Sequence, residues 1–337
     1  MPRQARIDAP GALQHIILRG IERKPLFKDQ QDYNFFLKRL GRILTETATP
    51  CFAWALMGNH VHLLLRTGLY PLTTVMRRLL TGYAQQFNRR HKRHGHLFQN
   101  RYKSFLCEEE PYLLELVRYI HLNPIRAGRV KDIKFLAKYD KSGHAVIMGK
   151  YKYSWQNTEY VLGRFGKTLG VARRRYAAFV TKGIEQGRRP ELVGGGLIRS
   201  FGGWSALKAS RFTGLRVMGD ERILGSGEFV ESVLKRANED YEKRIKAQVK
   251  GFDLDTLIER ISAYFGIEAG VLKSTAKQRQ ASRARSLLCY LAVSRLKISG
   301  AEIARKLNVS PSTVSKGFYR GQSDDLSQKL ERDLFSW

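Results

Sequence analysis

Acidic side chains are in short supply in this chain: 30 Asp and Glu stand against 60 Lys and Arg, a formal net charge of +30. An imbalance of that size excludes a protein indifferent to charged partners. It selects polyanions, nucleic acid first, because neutralising phosphates releases their condensed counterions. Cysteine is nearly absent, and Cys51, Cys107 and Cys289 stand far apart. That spacing excludes a zinc knuckle and a disulfide framework and suits a reducing, cytoplasmic setting. Long apolar runs are missing as well. No stretch approaches the roughly 20 residues of a spanning helix, and Met1-Pro2-Arg3-Gln4-Ala5-Arg6 lacks the apolar core of a signal peptide, so no membrane partner is expected. What remains is a chain of 337 residues with 43% hydrophobic content, enough for two or three packed domains. The positive charge is shared along it: residues 1–150 hold 26 basic and 11 acidic side chains, about half of the excess. Both halves are therefore expected to touch the polyanion.

Residues 12–19 read as a strand, residues 29–47 as an amphipathic helix carrying Phe35, Phe36, Leu40 and Leu44, and residues 51–57 as a second strand. Gly58-Asn59 supplies a hairpin turn into a third strand over 60–66. A long helix fits 72–92, with Val75, Met76, Leu79, Tyr83 and Phe87 near helical spacing. A fourth strand fits 101–106 and a third helix 109–123, which Pro124 should stop, since the residue before a proline is pushed out of the helical region. The order predicts an α+β fold, a ferredoxin-like split-βαβ antiparallel sheet with helices on one face and the other face free for a ligand. Residues 131–215 are Gly-rich and basic, with Gly194-Gly195-Gly196 and Gly202-Gly203, and give only a weak pattern. Residues 228–246 read as a charged helix, and 252–265 and 282–296 as core helices of a separate all-α bundle. That bundle ends in a helix-turn-helix pattern: small Ala304 at the helix crossing, Val309 in the turn, Val314 toward the core, and serine, threonine and lysine facing out. Three regions follow: an α+β domain over 1–150, a basic linker or accessory helical region over 151–250, and a helix-turn-helix domain over 251–325.

His60 and His62, two apart at the start of a strand, point to the same side. A lone histidine on an apolar strand is more often a satisfied core residue. Two side by side suit a divalent ion such as Mg2+ or Mn2+, between which sequence does not choose, and such an ion polarises a phosphate oxygen. Tyr119 and Asn123, four apart on the third helix, share a face, so that Asn123 can complete a metal shell while Tyr119 faces a phosphorus. On spacing alone a core aromatic and a helix cap are the simpler reading, and Tyr112, two turns earlier, competes for the role of nucleophile. A phenol is a weak nucleophile at neutral pH, with a free pKa of about 10, but a phosphotyrosine keeps the bond energy for rejoining. Residues 85–103 interleave aromatic side chains with Arg89, Arg90, Lys92, Arg93, Arg101 and Lys103, a mixture suited to single strands. The plainer alternative is a solvated helix end followed by a strand with Phe98 and Tyr102 buried. His91, His94 and His96 fit loop-borne DNA contacts better than a second metal cluster.

His60-Val61-His62 resembles the HUH signature of single-strand DNA endonucleases, and Tyr119-Ile120-His121-Leu122-Asn123-Pro124 resembles the tyrosine motif of single-tyrosine transposases. His15, Arg19-Gly20 and the stretch from His94 to Lys103 add to a likeness to the REP-associated tyrosine transposases over roughly residues 5–155. The resemblance implies Tyr119 as nucleophile and His60, His62 and Asn123 as metal ligands. It also implies cleavage of single-stranded DNA near hairpins through a 5′-phosphotyrosine, with Arg19 among the DNA contacts. Relatives work as monomers or as homodimers, so the oligomeric state stays open. Residues 252–320 resemble the DNA-binding domain of the bacterial replication initiator, in Ala263-Tyr264-Phe265-Gly266-Ile267, in Arg279 to Arg285 and in the helix-turn-helix. This implies duplex DNA as a partner, with Ser310, Ser312, Thr313, Ser315 and Lys316 at the groove and Arg279, Arg283 and Arg285 on phosphates. Bidentate base readers are scarce on that helix, so its target sequence stays open. Two rivals stand beside the transposase reading: a non-catalytic nucleic-acid-binding regulator, and a metal-dependent hydrolase that uses water.

Overall fold

The computed structural model describes residues 7, 9, 11–68, 70–187, 189, 192–193, 220–236, 253–274, 278–296 and 298–335. The two glycine clusters noted above lie outside them, as does most of the charged helix, of which residues 227–236 are described and helical. The chain divides into two compact units, Met1–Leu44, Thr49–Thr67 and Leu72–Val233 forming one, Thr45–Ala48, Gly68–Pro71 and Leu234–Trp337 the other.

The first unit follows the expected order: β1 (Leu13–Arg19), α1 (Gln30–Glu46), β2 (Cys51–Met57), β3 (His60–Arg66), α2 (Leu72–Arg90), β4 (Lys103–Cys107) and α3 (Glu109–Arg126). Its sheet runs β2-β3-β1-β4-β5 and is antiparallel except for β5 (Ile223–Leu224), a two-residue strand parallel to β4 that is too short to leave a sequence pattern. On the opposite edge, isolated bridges join Cys51 of β2 to Gln156 and Ala55 to Ser142.

In the β1–β3 pairing, Ile17 stands opposite His62 and Arg19 opposite His60, so His15, Ile17, Arg19, His60, His62 and Leu64 share one face. That face is not left open. Leu113, Leu116, Val117 and Ile120 of α3 cluster with Ala53, Ala55, Met57 and Leu64, and Val161, Leu162, Tyr176 and Val180 join the same core. The last four come from α6 (Thr158–Leu162) and α7 (Leu169–Lys182), which follow α4 (Ile133–Leu136) and α5 (Gly143–Ile147). The expected free face is therefore covered by helices. No boundary falls at residue 150 either, because α6 and α7 complete the core of this unit.

Pro124 does not end α3, which continues to Arg126. A proline lacks the N–H that would meet the carbonyl four residues back, here that of Ile120. The Asn123 side-chain amide compensates, donating to Ile120 O at 3.4 Å and to Tyr119 O at 3.1 Å. On the far side of α3 a buried polar knot ties helices together. The Tyr176 hydroxyl meets His121 Nδ1 at 2.7 Å and His144 Nδ1 at 2.9 Å. Nearby, Trp54 Nε1 donates to Gln156 Oε1 at 2.8 Å, and Gln156 Nε2 donates to Gly143 O at 3.1 Å. A Cβ at Gly143 would lie 2.8 Å from the Gln156 amide and 3.0 Å from His121 Nε2, so a larger residue there would have to shift the knot.

The second unit contains α8 (Leu254–Phe265), α9 (Ala269–Leu272), α10 (Arg279–Ser294), α11 (Gly300–Lys306), α12 (Pro311–Gln322) and α13 (Ser327–Phe335). Gly266, at φ 61°, ends α8 in the left-handed conformation. Ser310 caps α12 by accepting from Thr313 N, with Pro311 beginning the helix. Ala304 and Val314 are buried as the helix-turn-helix pattern predicts, Leu307 is buried beside them, and Val309 packs against the same core. Helices α10 and α12 approach closely: a Cβ at Gly321 would come within 2.2 Å of Ser286 O.

Two stability outcomes follow. Tyr176→Phe removes the hydroxyl that both buried histidines share, and its expected cost is about 1–3 kcal/mol, measured as a lower urea midpoint at unchanged slope. Ser310→Ala removes a cap and should cost the second unit about 1 kcal/mol, measured the same way.

Candidate metal and nucleophile site

The His60 and His62 rings lie 5.2 Å apart at 80°. Their outward nitrogens are fixed by their inward ones. His60 Nδ1 lies 2.7 Å from Asn59 Oδ1, and Asn59 Nδ2 donates to Arg23 O at 3.1 Å. A backbone carbonyl only accepts, so the Asn59 amide cannot be reversed, its oxygen faces His60, and His60 carries its proton on Nδ1. His62 Nδ1 lies 3.1 Å from His15 Nε2, while His15 Nδ1 meets Leu192 O at 3.2 Å. The same rule puts the His15 proton on Nδ1, leaves its Nε2 as acceptor, and puts the His62 proton on Nδ1. Each of the two strand histidines is thus left with an Nε2 lone pair, the arrangement a metal ligand needs.

Burial keeps these rings neutral. It lowers His15 to about 4, against a partial offset from the Leu192 carbonyl. It lowers His60 to about 4, aided by the charges of Arg19 and Arg129. His62 is held well below its ordinary value, first by burial and then by its histidine neighbours and Arg19.

Tyr119, from α3, brings its ring edge-on to both inner histidines, 5.9 Å from His62 and 6.0 Å from His15. Asn123 follows one turn later, half-buried, with its amide nitrogen committed to backbone carbonyls. Its Oδ1 is the donor atom left for a cation. Two imidazole nitrogens and an amide oxygen fit a divalent ion with mixed nitrogen and oxygen ligands. Tyr112 packs against the α3 core.

Two arginines absent from the sequence-based set belong here. The Arg126 guanidinium lies over the Tyr119 ring, 5.4 Å from its centroid. It also reaches Gly183 O at 3.3 Å. Arg129 Nη2 lies against the hairpin turn, where a Cβ on Gly58 would approach it to 2.4 Å. Arg126 is seven residues from Tyr119, two turns on the same face, and ending α3 at Pro124 hides that relation. Arg129 lies beyond the helix, where no periodicity signals it.

Of the other predicted contacts, Arg19, Arg89, Lys92, Arg101 and Lys103 are exposed. Arg90 is turned inward, donating to Asp29 Oδ2 at 2.5 Å and Asp32 Oδ1 at 2.6 Å, and His91 Nε2 meets Asp32 at 2.9 Å. Ligand-type atoms of Asp29, Asp32 and His91 lie within 4.8 Å of one another. The Arg90 guanidinium already pairs with both carboxylates of that cluster, which ties the end of α2 to the start of α1. His94 and His96 are exposed and outside it. Arg93 braces its loop through Asn88 Oδ1 and His96 O, both at 3.1 Å.

In the second unit Arg279, Ser310, Thr313 and Lys316 are exposed and Ser312 is half-buried. Ser315 departs from the expected outward position: it is buried, with its hydroxyl on Pro311 O at 3.2 Å. Arg285 is buried and donates to Leu272 O and Val271 O, closing the end of α9 rather than meeting phosphate. Arg283, exposed, is paired with Asp324 at 2.7 Å and with Asp325.

Residues 11–123 match the family described as Transposase IS200 like, and residues 254–320 match that described as Bacterial dnaA protein helix-turn-helix. Both resemblances read from the motifs thus have a family match within the segments they cover, the first over a shorter stretch than the motifs suggested. The chain is also similar to a solved REP-associated tyrosine transposase bound to a REP hairpin, at 17% identity over 47% of this chain and 92% of that one, with a TM-score of 0.36. No curated protein matches. No helix among the described residues is long and apolar enough to cross a membrane.

The buried rings make stability pH-dependent. Burial lowers His15, His60 and His144 to about 4 in the folded chain, against an ordinary histidine value of 6.5. Between those values the unfolded chain binds more protons, so stability is complete above about pH 6.5 and falls as pH drops toward 4. Denaturant midpoints should be lower at about pH 5 than at about pH 7.5; equal midpoints would mean that these rings are solvated.

Proposed function

We propose that the first unit cuts and rejoins single-stranded DNA through Tyr119, with a divalent ion, Mg2+ or Mn2+, held by His60 Nε2, His62 Nε2 and Asn123 Oδ1. The observation that carries this reading is the joint arrangement of a tyrosine ring 5.9 Å from His62 and two histidines whose hydrogen bonds leave both Nε2 lone pairs available. A bound ion there supplies Lewis acidity to a non-bridging phosphate oxygen. The chain's own groups do the rest. Tyr119 Oη attacks phosphorus and loses its proton as the new O–P bond forms. The bond from phosphorus to the 3′-oxygen breaks, and that oxygen leaves as a hydroxyl, with the 5′-phosphate on Tyr119. Arg126 over the phenol ring, and Arg19 and Arg129 beside His60, offer positive charge to the phosphate and to the developing phenolate. Reversal with a second 3′-hydroxyl restores the tyrosine and joins a new strand.

The exposed basic side chains Arg89, Lys92, Arg101 and Lys103 suit contacts to the backbone of a single strand or hairpin. The second unit supplies duplex binding through α12, where Ser310, Ser312, Thr313 and Lys316 are accessible to varying degrees. A second module on the same DNA raises the effective concentration of the cleavage site.

The test is a denaturing gel of labelled hairpin DNA from the flanks of the gene, incubated with full-length protein and Mn2+. A metal-dependent covalent protein–DNA band is expected, falling roughly 1,000-fold or more in Tyr119→Phe. Cleavage without an adduct in both proteins would favour a water nucleophile. Tight binding with no cleavage of any flank would favour a non-catalytic binder.

A further inference from the structure

We propose that His15 is a positioning residue for the metal centre: it pins the proton of His62 on Nδ1 and so presents the Nε2 lone pair to the ion. The inference rests on the metal reading of His60 and His62 given above. A histidine left to itself prefers its proton on Nε2, the nitrogen that here must be bare. Something has to reverse that preference at His62, and among the described residues the polar partner of its Nδ1 is His15 Nε2, at 3.1 Å.

The sheet register makes the contact possible. His15 stands opposite Leu64, so His62 is its diagonal neighbour on the same face, about 7–8 Å away along the backbone, within reach of two long side chains. The rings span that gap, 5.3 Å apart and 23° from parallel. His15 is itself fully buried, between Phe105 and Tyr119, and its other nitrogen is held by Leu192 O. In the neutral ring the nitrogen facing Leu192 O is the one that donates, and Nε2 is left to accept. The chain of donors therefore runs one way, from His62 to His15 to a main-chain carbonyl. His60 has a matching chain, from its Nδ1 to Asn59 and on to Arg23 O. Two ligands, each backed by a relay that ends on a backbone oxygen, form a consistent device: the terminal acceptors cannot reverse, so neither can the ligands.

The experiment uses full-length protein with 15N-labelled histidine, without DNA. Long-range proton–nitrogen correlation spectra report which ring nitrogen of His62 is protonated, and calorimetry reports the affinity for Mn2+ alone. In the wild type the proton is expected on Nδ1. In His15→Leu it should move to Nε2, and Mn2+ should bind roughly 10–100-fold more weakly. In His15→Gln, whose Oε1 can accept at the place of Nε2, most of the affinity and the Nδ1 proton should return. A purely structural role predicts instead a less stable His15→Leu protein whose folded fraction keeps the His62 tautomer and the Mn2+ affinity, which overturns the proposal. So does a wild-type His62 protonated on Nε2, whether or not His15→Leu folds. Affinity lost in His62→Ala but unchanged in His15→Leu overturns the role of His15 alone. Affinity unchanged in both overturns the metal reading beneath it.

Discussion

The antiparallel pairing of β1 with β3 is the constraint on which the site depends. It sets Ile17 against His62 and Arg19 against His60. A slip of one residue in β3 would send both histidines to the opposite side, since strand side chains alternate. The register is protected by burial on both faces: Ile16, Leu18, Val61, Leu63 and Leu65 on one, Leu13 and Leu64 on the other. The hydrophobic core thus fixes the position of two polar rings that it does not itself include.

Against that sheet the third helix has to present Tyr119 and Asn123 in phase. Asn123 serves twice. Its amide nitrogen repairs the carbonyl orphaned by Pro124, and its oxygen is the atom that the proposed function gives to the ion. The repair lets α3 run on to Arg126, which is how that guanidinium comes to lie over the Tyr119 ring. The knot of His121, His144 and Tyr176 holds the other side of the same helix, so alternate residues of one short motif serve the site and the scaffold in turn.

Much of this was legible in the residues. The strands and first helices are long and strongly periodic, and β2 and β3 begin and end where the Gly58-Asn59 turn places them. Same-face placement of His60 and His62 follows from strand geometry alone. What escaped depends on distant partners. The end of α3 could not be read because a side chain supplied the missing hydrogen bond. The role of residues 133–182 could not be read because α4, α5 and α6 are too short to show a period, and burial in the core stabilises them more than their own sequence does. Arg90, Arg285 and Ser315 look like surface donors in sequence, yet each finds an acceptor within its own unit. A basic residue in a basic chain carries no sign of whether its carboxylate or carbonyl lies nearby.

The strand β5 has a consequence for assembly. Leu106 N and Glu108 N of the β4 edge donate to Arg222 O and Leu224 O. Across the sheet, Leu56 N donates to Lys141 O, and Cys51 O accepts from Asn157 N. Both flanks of the sheet thus have main-chain groups already engaged by the chain's own later segments, which blunts them as templates for another strand. An incoming polypeptide, including a second copy of this chain, would have to displace those segments to extend the sheet. Side-chain docking, or exchange of a whole element, is left as the cheaper route to a dimer.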